Sequence, residues 1–288
     1  MTAILTKHQP LVGYGLDRVR GLFYSKKMNL LKTKKLLALG LLSWSLPASA
    51  LHIMIDPGHG GVDTGAVHGA AKEADLVLKV AQRLKTILEK NTDFKVSITR
   101  TTDRNLGLPS RVKMAEDAKA DLFVSLHANA ASDQRAKGVE FFFQNNLPPD
   151  EESLFLASQE NQMVLNSKEL HDISGGDELS KKGDVAAIVE DLRRQNRMES
   201  SLHLSKTLTQ VWNADSTATH ATIKQAPFYV ISKTSMPSVL IEIGFLTNPR
   251  EAKRLLTTEY QSDLAQKIYS ALLSYKEKMD NRTAKTLD

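Results

Sequence analysis

The chain of 288 residues contains no cysteine, and this absence limits its chemistry before any motif is considered. Without cysteine the protein forms no disulfide bonds, and a bound metal ion would need histidine and carboxylate ligands. The sequence also lacks internal repeats. A chain of this length can bury an ample core without covalent cross-links.

No apolar run is long enough to anchor the mature protein in a bilayer, which takes about 20 residues. The most apolar stretch, Leu36–Leu46, follows a basic segment and precedes Ala48-Ser49-Ala50. This is the pattern of a secretory signal peptide. We therefore interpret residues 28–50 as a signal peptide, residues 1–27 as an upstream extension from a misplaced start codon, and Leu51 as the first mature residue. The alternative interpretation is an N-terminal core helix.

An excess of positive charge is also missing from the predicted mature chain. The full sequence has a formal net charge of +5, but residues 1–50 hold eight of its 38 Lys and Arg and one of its 33 Asp and Glu. Residues 51–288 therefore carry 30 basic and 32 acidic side chains, a net charge of −2. The composition gives no support for a nucleic-acid partner.

Hydrophobic periodicity predicts alternating strands and helices from residue 51 onward. The predicted strands are Ile53–Ile55, Phe94–Thr99, Asp121–His127, Gly138–Gln144, Phe228–Ser232 and Val239–Ile243. The predicted helices are Glu73–Lys90, Ser110–Lys119, Asp184–Trp212, a short helix that Asn248 caps, and Glu259–Lys278. This order predicts a single α/β domain over residues 51–280, with a mostly parallel sheet flanked by helices on both faces. Residues 281–288 are expected to form a polar, frayed tail.

Residues 145–183 differ in amino-acid composition from the rest of the domain. They are polar, contain Pro148-Pro149 and Gly175-Gly176, and hold one predicted helix from Glu151 to about Asn166. The apolar face assigned to this helix, with Leu154, Phe155 and Ala157 among its members, is weak, so loose docking is expected. We interpret the segment as a helical insertion.

Four residues are candidates for a chemical centre. His59 lies on a glycine-rich loop after the first strand, His127 closes a second strand, Glu242 lies near the end of a third, and Glu73 begins the first helix. Parallel sheets bind ligands beyond the carboxyl ends of their strands, so these side chains can converge. Two imidazoles and one carboxylate form a familiar catalytic zinc set that leaves a fourth position for water, and a second carboxylate can then move protons.

Each candidate also has a simpler interpretation, and for His59 it is a structural histidine at a strand end. Glu73 fits a first-turn glutamate favoured by the helix dipole, and Glu242 fits a structural ion pair. His127 in an apolar strand requires either a partner or a metal. The remaining histidines are interpreted as surface or packing residues (His52, His171, His203 and His220), with His68 as a rim candidate.

Four motifs together resemble the zinc-dependent N-acetylmuramoyl-L-alanine amidases of the amidase-3 type. They are Asp56-Pro-Gly-His-Gly-Gly-x-Asp-x-Gly-Ala, Lys72-Glu73, Ser125-Leu-His-Ala-Asn-Ala130 and Val239-Leu-Ile-Glu-Ile-Gly-Phe-Leu-Thr-Asn248. The resemblance implies Zn²⁺ ligands at His59, Glu73 and His127, with Glu242 as the catalytic carboxylate. It further implies a structural or rim role for Arg111, and we assign Asn129 to the rim.

The insertion resembles that of the regulated cell-division amidases, in which a glutamate on a covering helix occupies the open metal position until an activator displaces it. By this resemblance Glu160 is the candidate autoinhibitory ligand, and a protein activator is an expected partner; the alternative is an ordinary surface helix. The sequence lacks a recognisable wall-anchoring module, and Ala115-Glu116-Asp117 replaces the commoner Ala-Asn of the family.

The resemblance thus implies a peptidoglycan hydrolase that cuts the amide between N-acetylmuramic acid and the L-alanine of the stem peptide. It also implies export, to the periplasm by analogy with the insertion-bearing relatives, without a membrane anchor in the mature chain. Two alternatives use the same residues. One is a zinc carboxypeptidase-like hydrolase of stem peptides, and the other is a catalytically inactive wall-binding protein with an amidase fold.

Overall fold

The computed structural model describes residues 50–69, 71–165, 184–215 and 219–287. The predicted upstream extension and residues 28–49 of the predicted signal peptide lie outside the described residues, as does the part of the insertion after Leu165. The described residues all belong to one compact unit. None of the described helices is both long enough and apolar enough to cross a membrane.

A six-stranded mixed sheet forms the centre of the domain. The strands, in chain order, are β1 (Leu51–Pro57), β2 (Val67–His68), β3 (Ala71–Lys72), β4 (Phe94–Ile98), β5 (Leu122–Asn129), β6 (Val139–Phe143), β7 (Ala221–Gln225) and β8 (Ser238–Phe245). The order across the large sheet is β4-β1-β5-β8-β6-β7, and β2 and β3 form a separate antiparallel pair. Strands β4, β1, β5 and β8 run parallel, whereas β6 pairs antiparallel with β8 and parallel with β7. The predicted mostly parallel sheet is confirmed.

Seven described helices cover the two faces of the sheet. They are α1 (Glu73–Leu88), α2 (Leu108–Asp117), α3 (Glu151–Leu165), α4 (Asp184–Asn213), α5 (Tyr229–Ser232), α6 (Pro249–Leu255) and α7 (Thr258–Leu287). One face packs against α1, α6, α7 and the C-terminal half of α4, where Leu204, Leu208 and Trp212 are buried. The other face packs against α2, α3 and α5. Asn248 caps α6 as predicted, because its side-chain oxygen accepts hydrogen bonds from the backbone N–H groups of Arg250 and Glu251.

Three elements near the C-terminal half differ from the sequence prediction. The segment Phe228–Ser232 was predicted as a strand, but it forms the short helix α5, and the edge strand β7 just before it was not predicted. The apolar run of five residues is too short for periodicity to separate a strand from a buried helical turn. The last helix continues to Leu287, so residues 281–287 extend α7 rather than forming a separate tail.

The insertion helix α3 docks through only part of the face predicted for it. Leu154 and Phe155 are 49% and 64% exposed, whereas Ser153 and Ala157 are buried. Asn161 anchors the helix further along, where its side chain donates to the carbonyl of Pro227 and accepts from the N–H of Tyr229. The contact face is therefore small, and it combines the polar Ser153 and Asn161 with Ala157 and the partly buried Leu156.

Candidate metal and catalytic centre

The loop after β1 presents His59 in a strained but well-supported conformation. His59 has a φ of 56°, in the left-handed region that non-glycine residues rarely occupy. Two buried arginines hold the loop from below: Arg100 donates to the carbonyls of Pro57 and Gly58, and Arg111 donates to those of Pro57 and His59. Arg111 also forms a buried ion pair of 2.7 Å with Asp56. Arg111 is therefore structural and does not lie on the rim.

Three side chains predicted to act together converge beyond the ends of β1 and β5. Oε1 of Glu73 lies 3.1 Å from Nε2 of His59 and 3.1 Å from Nδ1 of His127. Both distances are close to the separation of about 3.3 Å expected between ligand atoms of a tetrahedral zinc ion. Nε2 of His59 is buried, and although Oε1 of Glu73 is near it, the geometry makes no hydrogen bond to this nitrogen among the described residues. A buried nitrogen left without a partner is expected where a metal ion would be its ligand partner.

Backbone and side-chain contacts fix the orientation of these three residues. Oδ2 of Asp63 lies 2.8 Å from Nδ1 of His59, so the opposite nitrogen of the ring faces the centre. The carboxylate of Glu73 accepts hydrogen bonds from the N–H groups of Ala66 and Ala128. Asp63 was part of the quoted motif but was given no role. Its position four residues after His59, on the same glycine-rich loop, is the signal that could have identified it.

The electrostatics of the centre favour a cation. Burial alone would raise the pKa of Glu73, but the neighbouring His59 and His127 lower it well below its ordinary value. Burial likewise would lower the pKa of His59, and the carboxylates of Glu73 and Asp63 outweigh it and raise that pKa. The donor set therefore combines an ionised carboxylate with two imidazoles, a set that suits Zn²⁺.

Glu242 lies beside this group on the neighbouring strand. It is the register partner of His127 in the β5–β8 pair, it is buried, and its Oε2 has no hydrogen-bond partner among the described residues. Burial and the negative charge of Glu73 raise the pKa of Glu242 well above its usual value. A carboxyl group in this state can hold a proton and release it during a reaction.

Asn129 belongs to a buried network at the wall of the same cavity. Its side-chain N–H donates to Glu140 at 3.0 Å, and Glu140 forms an ion pair of 2.8 Å with Lys224. Glu140 is also the register partner of Glu242 in the β6–β8 pair. Asn129 is therefore a buried wall residue rather than part of an exposed rim. The sequence interpretation missed Glu140, although a carboxylate between apolar residues of a central strand is the same anomaly that identified Glu242.

The insertion helix closes one side of the cavity with Glu160. Oε2 of Glu160 lies 3.6 Å from Nε2 of His59 and 3.6 Å from Nδ1 of His127. These three donor atoms all lie within 4.8 Å of one another, so His59, His127 and Glu160 could hold a metal ion together. The cavity has a volume of about 450 Å³ and is lined by Glu73, Asn129, Glu160 and Glu242 among others. By contrast, the rim candidate His68 is exposed on β2.

The cavity lies at the carboxyl ends of parallel strands and contains two buried histidines and several carboxylates. This arrangement is typical of a metal-dependent hydrolase. Comparison with known proteins gives the family. A family model described as N-acetylmuramoyl-L-alanine amidase matches residues 53–274. The amidase AmiA of Salmonella typhimurium is 31% identical over 240 residues, covering 81% of this chain and 79% of that protein. The amidase AmiC of Escherichia coli is 32% identical, covering 77% and 52% respectively.

Solved structures agree with this comparison. The catalytic domain of CwlV, an N-acetylmuramoyl-L-alanine amidase from Bacillus (Paenibacillus) polymyxa, has a TM-score of 0.57 and 26% identity, covering 78% of this chain and 98% of that one. The chain therefore belongs to the N-acetylmuramoyl-L-alanine amidase family. It is a hydrolase that acts on an amide bond of peptidoglycan, as the motifs predicted. This membership favours the predicted amidase over the two alternatives, a carboxypeptidase-like hydrolase and an inactive wall-binding protein.

Proposed function

We propose that this amidase depends on zinc held by His59, Glu73 and His127, and that it cuts the bond between N-acetylmuramic acid and L-alanine. The observation that carries the proposal is the convergence of one carboxylate oxygen and two ring nitrogens at 3.1 Å. The buried, unpartnered Nε2 of His59 supports it. When bound, zinc would supply a Lewis acid for the scissile carbonyl and would make a nearby water molecule more acidic.

In this proposal Glu242 is the proton carrier. Its free Oε2 would accept a proton from the attacking water and later deliver it to the nitrogen of the departing alanine. Asp63 would keep the His59 ring in the orientation that turns Nε2 toward the metal. Arg111 and Arg100 would hold the loop carbonyls so that His59 keeps its left-handed conformation.

The proton-carrier role is tested by Glu242→Gln, which keeps the shape of the side chain but cannot carry the proton. We expect the variant to bind one zinc ion per chain and to lose roughly 100- to 10,000-fold in turnover of purified peptidoglycan. Glu259→Gln, which changes an exposed carboxylate at the start of α7, is the matched control. Turnover of Glu242→Gln close to that of the control would exclude Glu242 as the base.

We further propose that α3 is an autoinhibitory helix and that Glu160 occupies a metal coordination position. The support is the position of its Oε2, at the same 3.6 Å from both ring nitrogens. Glu160→Ala should then increase hydrolysis of peptidoglycan by the full chain. Glu151→Ala removes the same charge from an exposed position on the same helix and should leave hydrolysis unchanged. Equal rates for the two variants would reject the inhibitory role.

The setting of the enzyme is part of the proposal. The signal-peptide pattern of residues 28–50 supports export, and the resemblance to insertion-bearing relatives supports the periplasm. A protein activator that displaces α3 would complete the regulation. A structural neighbour with 23% identity, CwlD of Clostridioides difficile, was solved in complex with the GerS lipoprotein, so a protein partner is known for that amidase.

A further inference from the structure

A second cavity, separate from the metal cavity, carries an excess of positive charge. It has a volume of about 780 Å³, and its charged lining consists of Arg135, Lys137, Arg250, Arg254 and the single carboxylate of Glu251. This composition stands out in a mature region with a formal net charge of −2. We call it the basic cavity.

Most of this positive charge is available to a ligand. Arg135 is paired with Asp133, but neither Lys137 nor Arg250 forms an ion pair with any carboxylate in the described part of the chain. Arg254 is held in place by the ring of Tyr260, 4.3 Å away, and by Thr219. Glu251 is the one carboxylate of the lining, so the four cations still leave the lining with an excess of positive charge; its two oxygens accept hydrogen bonds from the backbone N–H groups of Gly138 and Phe245.

The topology places the basic cavity on the same edge of the sheet as the metal cavity. The metal cavity lies beyond the carboxyl ends of β1, β5 and β8. The basic cavity is formed by three segments: the one that follows β8, the one that precedes β6 and the one that precedes β7. Because β6 and β7 run in the opposite direction to β8, their amino-terminal ends lie at the same edge of the sheet as the carboxyl end of β8. The metal cavity is centred on β5, the middle strand of β1, β5 and β8, and the basic cavity is centred on β6, the middle strand of β8, β6 and β7. Strands β5 and β6 are two strand spacings apart in the sheet, or about 10 Å.

The chemistry of peptidoglycan indicates which part of the substrate the basic cavity would bind. An extended peptide advances about 3.3 Å per residue, so a stem peptide cut at the metal cavity reaches the basic cavity about three residues from the scissile bond. The stem peptide carries free carboxylates, whereas the glycan presents neutral hydroxyl and acetamido groups. Arginine and lysine are the side chains that bind carboxylates.

We infer that the basic cavity is a substrate subsite that binds a free carboxylate of the stem peptide about three residues beyond the cleaved amide. This inference rests on the proposed function, since it assumes that the scissile bond lies at the metal cavity. It makes Lys137 and Arg250 specificity-determining residues that act on substrate affinity rather than on the chemical step.

The test compares three forms of the full chain: wild type, Lys137→Gln/Arg250→Gln, and the control Lys90→Gln/Lys206→Gln. The control removes two exposed lysines elsewhere and matches the change in net charge. Binding is measured calorimetrically with a stem peptide that has free carboxylates, with the same peptide after amidation, and with inorganic phosphate. The KM and kcat values are measured on soluble muropeptides.

We expect the cavity variant to bind the free-carboxylate peptide roughly tenfold more weakly than wild type and control, with a raised KM and an unchanged kcat. The amidated peptide should bind all three proteins equally. Equal binding of the free peptide by all three proteins would overturn the inference. So would phosphate binding that is tighter than peptide binding and is lost in the cavity variant. If no form cleaves muropeptides even when Glu160→Ala is added to each, the proposed function fails, while the binding comparison still tests the cavity by itself.

Discussion

Gly65 provides a sharp test of the metal-site geometry, because a single added methyl group would collide with two of the predicted site residues. A Cβ at this position would lie 2.6 Å from Oε2 of Glu73 and 2.6 Å from Cδ2 of His59. Neither group can move freely. The N–H of Ala66 holds that carboxylate oxygen at 2.9 Å, and Asp63 holds the imidazole at 2.8 Å.

Gly65→Ala should have two effects: a loss of stability from backbone strain, and a loss of turnover from displacement of the site residues. The residue has a φ of +59°, and placing alanine in this left-handed region costs about 1–2 kcal/mol of stability. In addition, ordinary Cβ contacts begin near 3.4 Å, so Glu73 and His59 must retreat by about 0.8 Å. A displacement of that size at a catalytic centre can reduce turnover roughly 100-fold.

Gly69→Ala is the matched control, since it separates backbone strain from contact. Gly69 has almost the same φ, +61°, but no described atom lies within 4 Å of a Cβ built there. Thermal unfolding, zinc content and peptidoglycan hydrolysis should be measured for both variants. We expect similar losses of stability, but loss of zinc and turnover only in Gly65→Ala. Equal activity of the two variants would refute the geometric reasoning.

Two further predictions address the groups that support the centre. Asp63→Asn should weaken zinc binding about 10- to 100-fold in chelator competition, because the His59 ring loses the carboxylate that orients it; unchanged affinity would exclude this role. Arg111→Met should cost about 3–5 kcal/mol in denaturant unfolding, because it leaves the fully buried Asp56 without its cationic partner. A loss below about 1 kcal/mol would mean that Thr99 and Ser125 satisfy Asp56 by themselves.

The convergence of the central residues could be predicted because each is marked by a local conflict in the sequence. A histidine on a glycine-rich loop and charged groups inside apolar strands are costly unless a partner compensates them. Parallel topology then brings strand ends to one edge of the sheet, which is where His59, His127 and Glu242 lie. The strands of the first half of the sheet and the helices that flank them could be predicted from the hydrophobic periodicity of the sequence.

The reversed half of the sheet could not be predicted in the same way. The direction of β6 depends on its antiparallel pairing with β8, which is separated from it by about 95 residues and leaves no local signal. The edge strand β7 is only partly buried after Ala221, and α5 is a single helical turn. As a consequence, the basic cavity could not be predicted, because its walls come from the segments that flank β6, β7 and β8.

The small contact face of α3 also bears on its proposed role. Among its described side chains only Ser153 and Ala157 are fully buried, and Asn161 adds two hydrogen bonds to the neighbouring segment. A buried methyl group contributes about 0.8 kcal/mol and each net hydrogen bond about 1 kcal/mol, so these contacts amount to roughly 3 kcal/mol. The partly buried Leu156 and the exposed ion pair of Glu152 with Lys224 add a further increment of the same order. Coupling energies of about 1–3 kcal/mol are typical of binding between linked sites. A partner that binds the displaced helix could therefore open the site, whereas a helix docked through a large apolar face would be too costly to displace.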